Sequence, residues 1–437
     1  MKLRLVIAPV FVLAATMATA QPGIEFGTTP SVTTRLVGPG GASATQQSPR
    51  PAINPAGTQL AIAFREGTDI VVQLRDIATE TVQNTLTLPS ATTGYTSAAL
   101  SLSYNPAGTE LILGWGVGAD AGARIQRVDA STLTTIGSQV DVSTGAGAKP
   151  KVDFFSDGSL LVSYEGADSE PSVAALFRRY QADLTPIATP VIVHDGNNAG
   201  SQGDTAIGII RSGNVATDVV VVAWEDDGNT RFPTLAPGTE DDVNIRYFSS
   251  SLAPLAAFAP VVGANIATTG GGDERSKLGN PSVAVAPNGK YAVSFEGEGL
   301  PSGNEVAWGN FFNADRTIGS GANAVRISSV GLTGRQQAIV LRYHVGTSTF
   351  AAAWGARNDV NIYVRFFSET GVAETTDLLI NTDRTVTNVR EAAFSLVGNK
   401  GVAAWHSAGG ADANDAFFRT FNVTGSVSSV AGWEMFN

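Results

Sequence analysis

Seven short apolar runs, each ending on a small residue followed by an aromatic, leave few folds open to this chain. They read LAIAF to Phe64, LILGW to Trp115, LLVSY to Tyr164, VVVAW to Trp224, YAVSF to Phe295, FAAAW to Trp354 and GVAAW to Trp405. The aromatics lie 51, 49, 60, 71, 59 and 51 residues apart. A period of that size marks a repeat architecture, because each unit is one supersecondary element that buries its faces against its neighbours. Hairpin signals precede the runs: Asn-Pro-Ala-Gly at 54–57 and 105–108, Ser-Asp-Gly at 156–158, Pro-Asn-Gly at 287–289, and Gly213-Asn214, Val345-Gly346 and Gly398-Asn399 in the same slot. A further β-run lies before each turn, as in AALSLSY (98–104) and SVAVA (282–286).

A third strand follows in every repeat: VVQLRD (71–76), RIQRVD (124–129), LFRRYQ (176–181), NIRYFS (244–249), WGNFFN (308–313), YVRFFS (363–368) and FFRTFN (417–422). Each carries one polar residue at a fixed place: Gln73, Gln126, Arg178, Arg246, Asn310, Arg365 and Arg419. Their recurrence predicts a structural ladder between strands or blades. A fourth run, such as TLTL (85–88), VIV (191–193), AVRI (324–327) or LLIN (378–381), completes the unit. Four antiparallel strands repeated seven times, without helical periodicity, predict an all-β, seven-bladed β-propeller. Along each second strand large residues alternate with small ones (Leu60, Ile62 and Phe64 against Ala61 and Ala63), so bulk on one blade face can pack onto a small-residue face opposite. The segment TTRLV (33–37) has the pattern of a fourth strand with no strands of its own, and is expected to close the seventh blade; Val427 to Phe436 competes for that place.

The strand grammar of KGVAAW (400–405), FFRTFNVTG (417–425), VRFFSETG (364–371) and LLINTD (378–383) resembles that of secreted bacterial seven-bladed propeller repeat proteins. The resemblance implies a propeller in an exported bacterial protein. That type has no single activity, so it transfers no functional residue.

Lys2 and Arg4, the apolar run Leu5 to Ala15 and the small-x-small site Ala18-Thr19-Ala20 read as a signal peptide over residues 1–20, leaving residues 21–437 as one propeller domain in a periplasm or outside the cell. No later stretch is apolar for the ~20 residues that a membrane helix needs. The chain has no cysteine, so no disulfide supports the fold. Loss of Lys2 and Arg4 takes the net charge from −11 to −13. Such an acidic chain is a poor match for nucleic acid or anionic membrane, which need a positive footprint. A monomer is expected.

In a propeller the loops that join second to third strands, and blade to blade, surround one mouth of the central channel, where ligands are expected. Four repeats place a glutamate after the aromatic: Glu66, Glu165, Glu225 and Glu296; the others have Gly116, Gly355 and His406 there. They are candidates for an acidic crown binding cations or sugar hydroxyls, or for solvated strand-end acids. Arg50, Lys149, Lys151, Lys277, Arg335 and Arg390 begin first strands on the same side. Ion pairing with the glutamates is the simplest outcome; an anion pocket of Arg50, Arg335 and Arg390 is the sharper one. The fourth repeat holds Asp226, Asp227 and Asn229, then Asp241 and Asp242, an oxygen-rich set that could hold calcium, although its spacing is not D-x-D-x-D-G. His194, His344 and His406 have no Cys or HxH partner, and no nucleophile elbow is present. Three functions remain: a non-catalytic binding or scaffold module for a protein or glycan, a carbohydrate-active hydrolase or lyase with carboxylates in the central funnel, and a surface or adhesion component stabilised by calcium.

Overall fold

Alternation along the strands has the outcome that the sequence predicts. In the computed structural model the chain forms seven four-stranded antiparallel sheets around a central channel. The structure describes residues 21–26, 33–41, 45–118, 122–144, 148–167, 173–194, 202–226, 242–255, 259–260, 279–299, 304–321, 324–329, 336–356, 361–383, 389–407 and 415–425. Blade 1 comprises Gln46–Ile53, Gln59–Glu66, Asp69–Asp76 and Val82–Leu88; blade 2, Tyr95–Tyr104, Glu110–Val117, Gly122–Asp129 and Thr135–Thr144. Blade 3 comprises Lys151–Phe154, Leu160–Ala167, Val173–Tyr180 and Val191–Ile192; blade 4, Gln202–Ile210, Val219–Asp226, Asp242–Ser249 and Ala259–Pro260. Blade 5 comprises Gly279–Val285, Tyr291–Gly299, Asn304–Phe312 and Val325–Arg326; blade 6, Gln336–His344, Thr349–Ala356, Asn361–Ser368 and Leu378–Leu379. Blade 7 has Val389–Val397, Lys400–Ser407 and Ala416–Thr424. Each first strand packs on those of the blades beside it, and blade 7 packs on blade 1.

No blade has a core of its own. The buried apolar residues fall into seven clusters, each straddling the seam between two neighbours. Leu60, Ile62 and Phe64 of blade 1 face blade 7, whereas Ala61 and Ala63 face Leu111, Leu113 and Trp115 of blade 2. The same assignment holds at blade 6, with Phe350, Ala352 and Trp354 toward blade 5 and Ala351 and Ala353 toward blade 7. All seven anchor aromatics are at most 2% exposed, which makes them core rather than sugar-stacking residues. Gly114 shows why the residue before the aromatic is small: a Cβ there would stand 2.5 Å from Ser101 Oγ and 3.0 Å from Pro150 Cγ of the next blade.

The ring closes through its N-terminal segment. Thr34–Arg35 pairs with the third strand of blade 7, Thr34 opposite Phe418 and Arg35 opposite Phe417, and Leu36 N–H donates to Ala416 C=O at 2.8 Å. Gly23–Glu25 pairs farther along the same strand, a contribution that the sequence did not suggest. The competing stretch 427–436 lies outside the described residues. Leu36 is fully buried in the seam between blades 7 and 1. Leu36→Ala should therefore cost about 2–5 kcal/mol, read as a lower urea midpoint at unchanged slope.

The hairpins between first and second strands follow their turn chemistry. Asn54 Oδ1 accepts from Thr58 and Gln59 N–H, and Asn105 Oδ1 from Thr109 and Glu110 N–H, with Gly57 and Gly108 at φ of 68° and 70°. In blade 6 a histidine fills this role: Thr347 N–H donates to His344 Nδ1 at 3.2 Å. Burial lowers the His344 pKa from 6.5 to about 4, so the folded chain keeps it neutral. Its contribution is complete above pH 6.5 and is lost as pH falls toward 4, because only the unfolded chain then takes up the proton. The linked loss is roughly 3 kcal/mol. The melting temperature of the wild type should fall between pH 6.5 and 4, and His344→Asn should flatten that slope.

Candidate functional site at the channel mouth

The first strands share an irregularity beside the channel. Ser48, Lys149, Asp204, Asn280, Ala338 and Glu391 occupy the same place in blades 1, 3, 4, 5, 6 and 7, and all have positive φ, between 40° and 56°. Ladder register shifts flank this place in blades 1, 4, 5, 6 and 7. These are β-bulges, and each left-handed non-glycine residue costs on the order of 1–3 kcal/mol.

The glutamates of the expected crown stabilise these bulges. Glu165 Oε1 of blade 3 accepts from Asp204 N–H of blade 4 at 2.8 Å, Glu225 Oε2 of blade 4 from Asn280 N–H of blade 5 at 3.2 Å, and Glu296 Oε1 of blade 5 from Ala338 N–H of blade 6 at 2.5 Å. Glu66 instead holds the entry segment, accepting from Gly38 and Gly40 N–H at 2.9 and 2.8 Å. The close approach needs glycine: a Cβ on Gly279 would sit 2.6 Å from Glu225 Oε2, and one on Gly38 2.5 Å from Glu66 Oε2. Glu66, Glu165 and Glu296 are buried rather than solvated, with their carboxylates held by backbone N–H groups of neighbouring segments. They tie one blade to the next.

The third-strand ladder is a second tie, at the outer rim. Arg246 Nη1 donates to Val193 C=O at 2.7 Å, Arg365 Nη1 to Ile327 C=O at 3.0 Å, and Arg419 Nη1 to Ile380 C=O at 2.6 Å. Each acceptor follows the fourth strand of the preceding blade, and Gln73 Nε2 donates likewise to Val37 C=O at 2.7 Å.

Most of the basic residues near the mouth are also engaged. Lys149 Nζ pairs with Glu165 at 3.0 Å and Asp204 at 2.6 Å; burial works against its charge, but the two carboxylates outweigh it and raise its pKa. Away from the mouth, at the hairpin that follows the first strand of blade 4, Arg211 pairs with Asp153, whose other oxygen accepts from Ile209 N–H at 2.9 Å. Arg50 Nε donates to Leu100 C=O and Nη1 to Pro49 C=O, both at 3.0 Å, while Nη2 stands 3.9 Å from Glu391 Oε2. His406, in the slot that holds glutamate elsewhere, is buried, with Nδ1 3.7 Å from the same Glu391 oxygen.

Lys151 differs from these. It is exposed to solvent. Burial by the surrounding ring, and next the charge of Arg50, lower its pKa to about 8. Among the described residues Arg342 Nη1 donates to its neighbour's carbonyl, Leu341 C=O, at 2.7 Å, and burial lowers its pKa while Asp153 partly offsets this.

No protein-family model and no curated protein matches the chain. Solved structures do. The polysaccharide lyase Uly1 is 9% identical, with a TM-score of 0.52, covering 92% of this chain and 91% of its own. A PL25 ulvan lyase is 10% identical, with a TM-score of 0.54, covering 93% and 95%; its complex with -[GlcA(1-4)Rha3S]- superposes with a TM-score of 0.52. At this identity the likeness is one of fold.

Of the other residues singled out in the sequence, Arg390 lies opposite His406 in the blade 7 ladder, and Arg335 lies outside the described residues. Of the calcium set, Asp227, Asn229 and Asp241 also lie outside the described residues. Asp226 ends a strand opposite Asp242, is buried, and accepts from Asn244 Nδ2 at 3.2 Å. Among the described residues no group of three metal-ligating His, Cys, Asp or Glu side chains converges. Sequence reasoning placed Lys151 among pairing cations; the register that sets it two residues past the bulge is visible only in three dimensions.

Glu296→Ala leaves the Ala338 N–H without its carboxylate and should cost about 2 kcal/mol; Glu296→Gln, which keeps an acceptor, should cost about half as much. Urea unfolding of the two variants checks the ranking. A crown that binds cations would instead show calcium raising the melting temperature of the wild type but not of Glu296→Ala.

Proposed function

We propose that this protein is an exported glycan-binding module whose ligand surface is the loop-bearing mouth of the propeller channel, with residues 1–20 as its signal peptide. The observation that carries the reading is the division of charge there. Glu66, Glu165, Glu225 and Glu296 are consumed in ties between segments, and Lys149 is paired with two acids. Lys151 stays exposed, and Arg50 is held by backbone carbonyls, on a rigid ring whose loops are free to differ. The lyases of similar fold, named for polysaccharide substrates, support a carbohydrate rather than a protein ligand. A glycan array probed with the mature chain, with and without calcium, tests the reading. Binding of at least one glycan class is expected; a blank array with folded protein overturns it.

A second reading, a polysaccharide lyase, is favoured by one group of residues. His406 and Arg50 converge on Glu391 at 3.7 and 3.9 Å. An imidazole beside a carboxylate, with a guanidinium in reach, provides a proton acceptor and a means of neutralising a uronate carboxylate, the two requirements for abstracting the proton next to it. The hydrolase reading has less support, since Asp153, Asp204 and Glu391 each face a cation. Incubation with glucuronate-containing polysaccharides, followed by ultraviolet absorbance of the conjugated product, tests the lyase reading. Turnover that disappears in His406→Ala supports it; none in the wild type rejects it.

A further inference from the structure

We propose that Asn288 is a self-modification site: the backbone nitrogen of Gly289 and a water molecule convert its side-chain amide to a carboxylate, and the product breaks a tie between blades 5 and 6 on the face opposite the channel mouth. The reaction needs no enzyme or cofactor, and the site is independent of the glycan reading.

Asn288-Gly289 is the one Asn-Gly pair in the chain, and its turn uses both residues. Gly289 N–H donates to Ala286 C=O at 3.0 Å with φ at 83°, and a Cβ on Gly289 would stand 3.2 Å from Ala314 Cβ. Asn288 Oδ1 accepts from Lys290 N–H at 3.1 Å, the local bond for which asparagine is favoured in turns. Asn288 is exposed, so water reaches it. A following glycine puts no side chain in the way of the peptide nitrogen as it approaches Cγ, and the Lys290 N–H on Oδ1 polarises that carbon for attack. The Gly289 N–Cγ bond forms, the Cγ–Nδ2 bond breaks, and ammonia leaves with the proton from the Gly289 nitrogen. One water then opens the cyclic imide at either carbonyl, giving aspartate or isoaspartate.

What the new carboxylate meets decides its effect, and blade 3 provides the comparison. In the matching hairpin Asp157 Oδ1 accepts from Ser159 N–H at 2.9 Å, and Asp157 Oδ2 accepts from Arg179 Nη2 at 2.9 Å. An acid suits that turn because it faces a cation. Asn288 faces an acid: its Nδ2 donates at 2.8 Å to Glu369 Oε1, which follows the third strand of blade 6. The same carboxylate accepts from Tyr343 OH at 2.7 Å and pairs with Lys290 Nζ at 2.9 Å. Burial opposes the charge of Glu369, but hydrogen bonds from Tyr343, Lys290 and Asn288 outweigh it and hold its pKa below the ordinary value. Conversion removes one donor and sets a second carboxylate against an ionised first one. Isoaspartate also lengthens the main chain inside the turn.

The test incubates the mature chain at mildly alkaline pH. Peptide mapping by mass spectrometry and isoaspartate-specific methylation follow position 288, and thermal melts follow the tie. Conversion should be faster at Asn288 than at any other asparagine. Asn288→Asp reproduces one product and should melt roughly 2–4 °C below the wild type; the aged wild type should move toward it, whereas aged Asn288→Ser, which has no amide to lose, should keep its starting value. In a Glu369→Gln background Asn288→Asp should have no further effect, because the two changes act on one contact. An intact Asn288 in a chain whose other asparagines have converted overturns the site. Conversion with an unchanged melt, or a drop that persists in full with Glu369→Gln, overturns the broken tie.

Discussion

Burial at the seams between blades is the constraint on which everything else rests. A four-stranded sheet of this kind has two apolar faces and no second layer of its own to cover them. Each blade turns its bulky face backward and its small-residue face forward, so Trp224 packs with blade 3 while Ala223 packs with blade 5. The packing has a direction, and the same contact repeats around the ring until it meets its start. At that last seam Leu36, supplied by the opposite end of the chain, lies with Phe64 and Phe418.

Two polar ties follow the same direction. Glutamates reach forward from the second strand to the bulge of the next blade, and third-strand arginines reach back to the carbonyl after the preceding fourth strand. Both leave or enter where backbone groups would otherwise lack partners, at a bulge and past a strand end. That placement explains how a ring with bulged inner strands and fourth strands often only two residues long holds together. It also sets the electrostatics of the mouth. Charges that look available in the sequence are occupied, and the few left over define the chemistry that the channel can offer.

The fold was readable because its causes are local and repeated. A small residue beside Trp354 or Trp405, a turn such as Asn-Pro-Ala-Gly, and a polar residue at Arg365 or Arg419 each report one physical need, and seven copies separate it from accident. The closing role of residues 33–37 was readable for the same reason, as a strand without partners. The site was far less so. Glu296 and Glu165 stand in a conspicuous series, but what they bind is a backbone N–H displaced by a positive φ at Ala338 and Asp204, which side-chain identity does not announce. Lys151 and Lys149 are two residues apart and chemically alike. One is paired twice and the other is exposed to solvent, because Lys149 itself occupies the left-handed position of its strand. His406 stood out in the glutamate series, yet its neighbour Glu391 sits at a bulge and gives no sign in the sequence of pointing toward it.

The closure of blade 7 by Thr34–Arg35 has a kinetic meaning. The ion pair of Arg35 with Asp415 joins residues 380 positions apart, so the segment that closes the ring waits until the seven blades between them have been made. Earlier seams can form as their blades appear, because each needs only its predecessor. The final seam must pay the loop-closure entropy of almost the whole chain, which grows slowly with length but delays the encounter. Until then blade 1 keeps its bulky face bare and blade 7 its small one, and they complement each other between copies as well as within one. The interval before closure is therefore when this chain is most exposed to assembling with itself end to end.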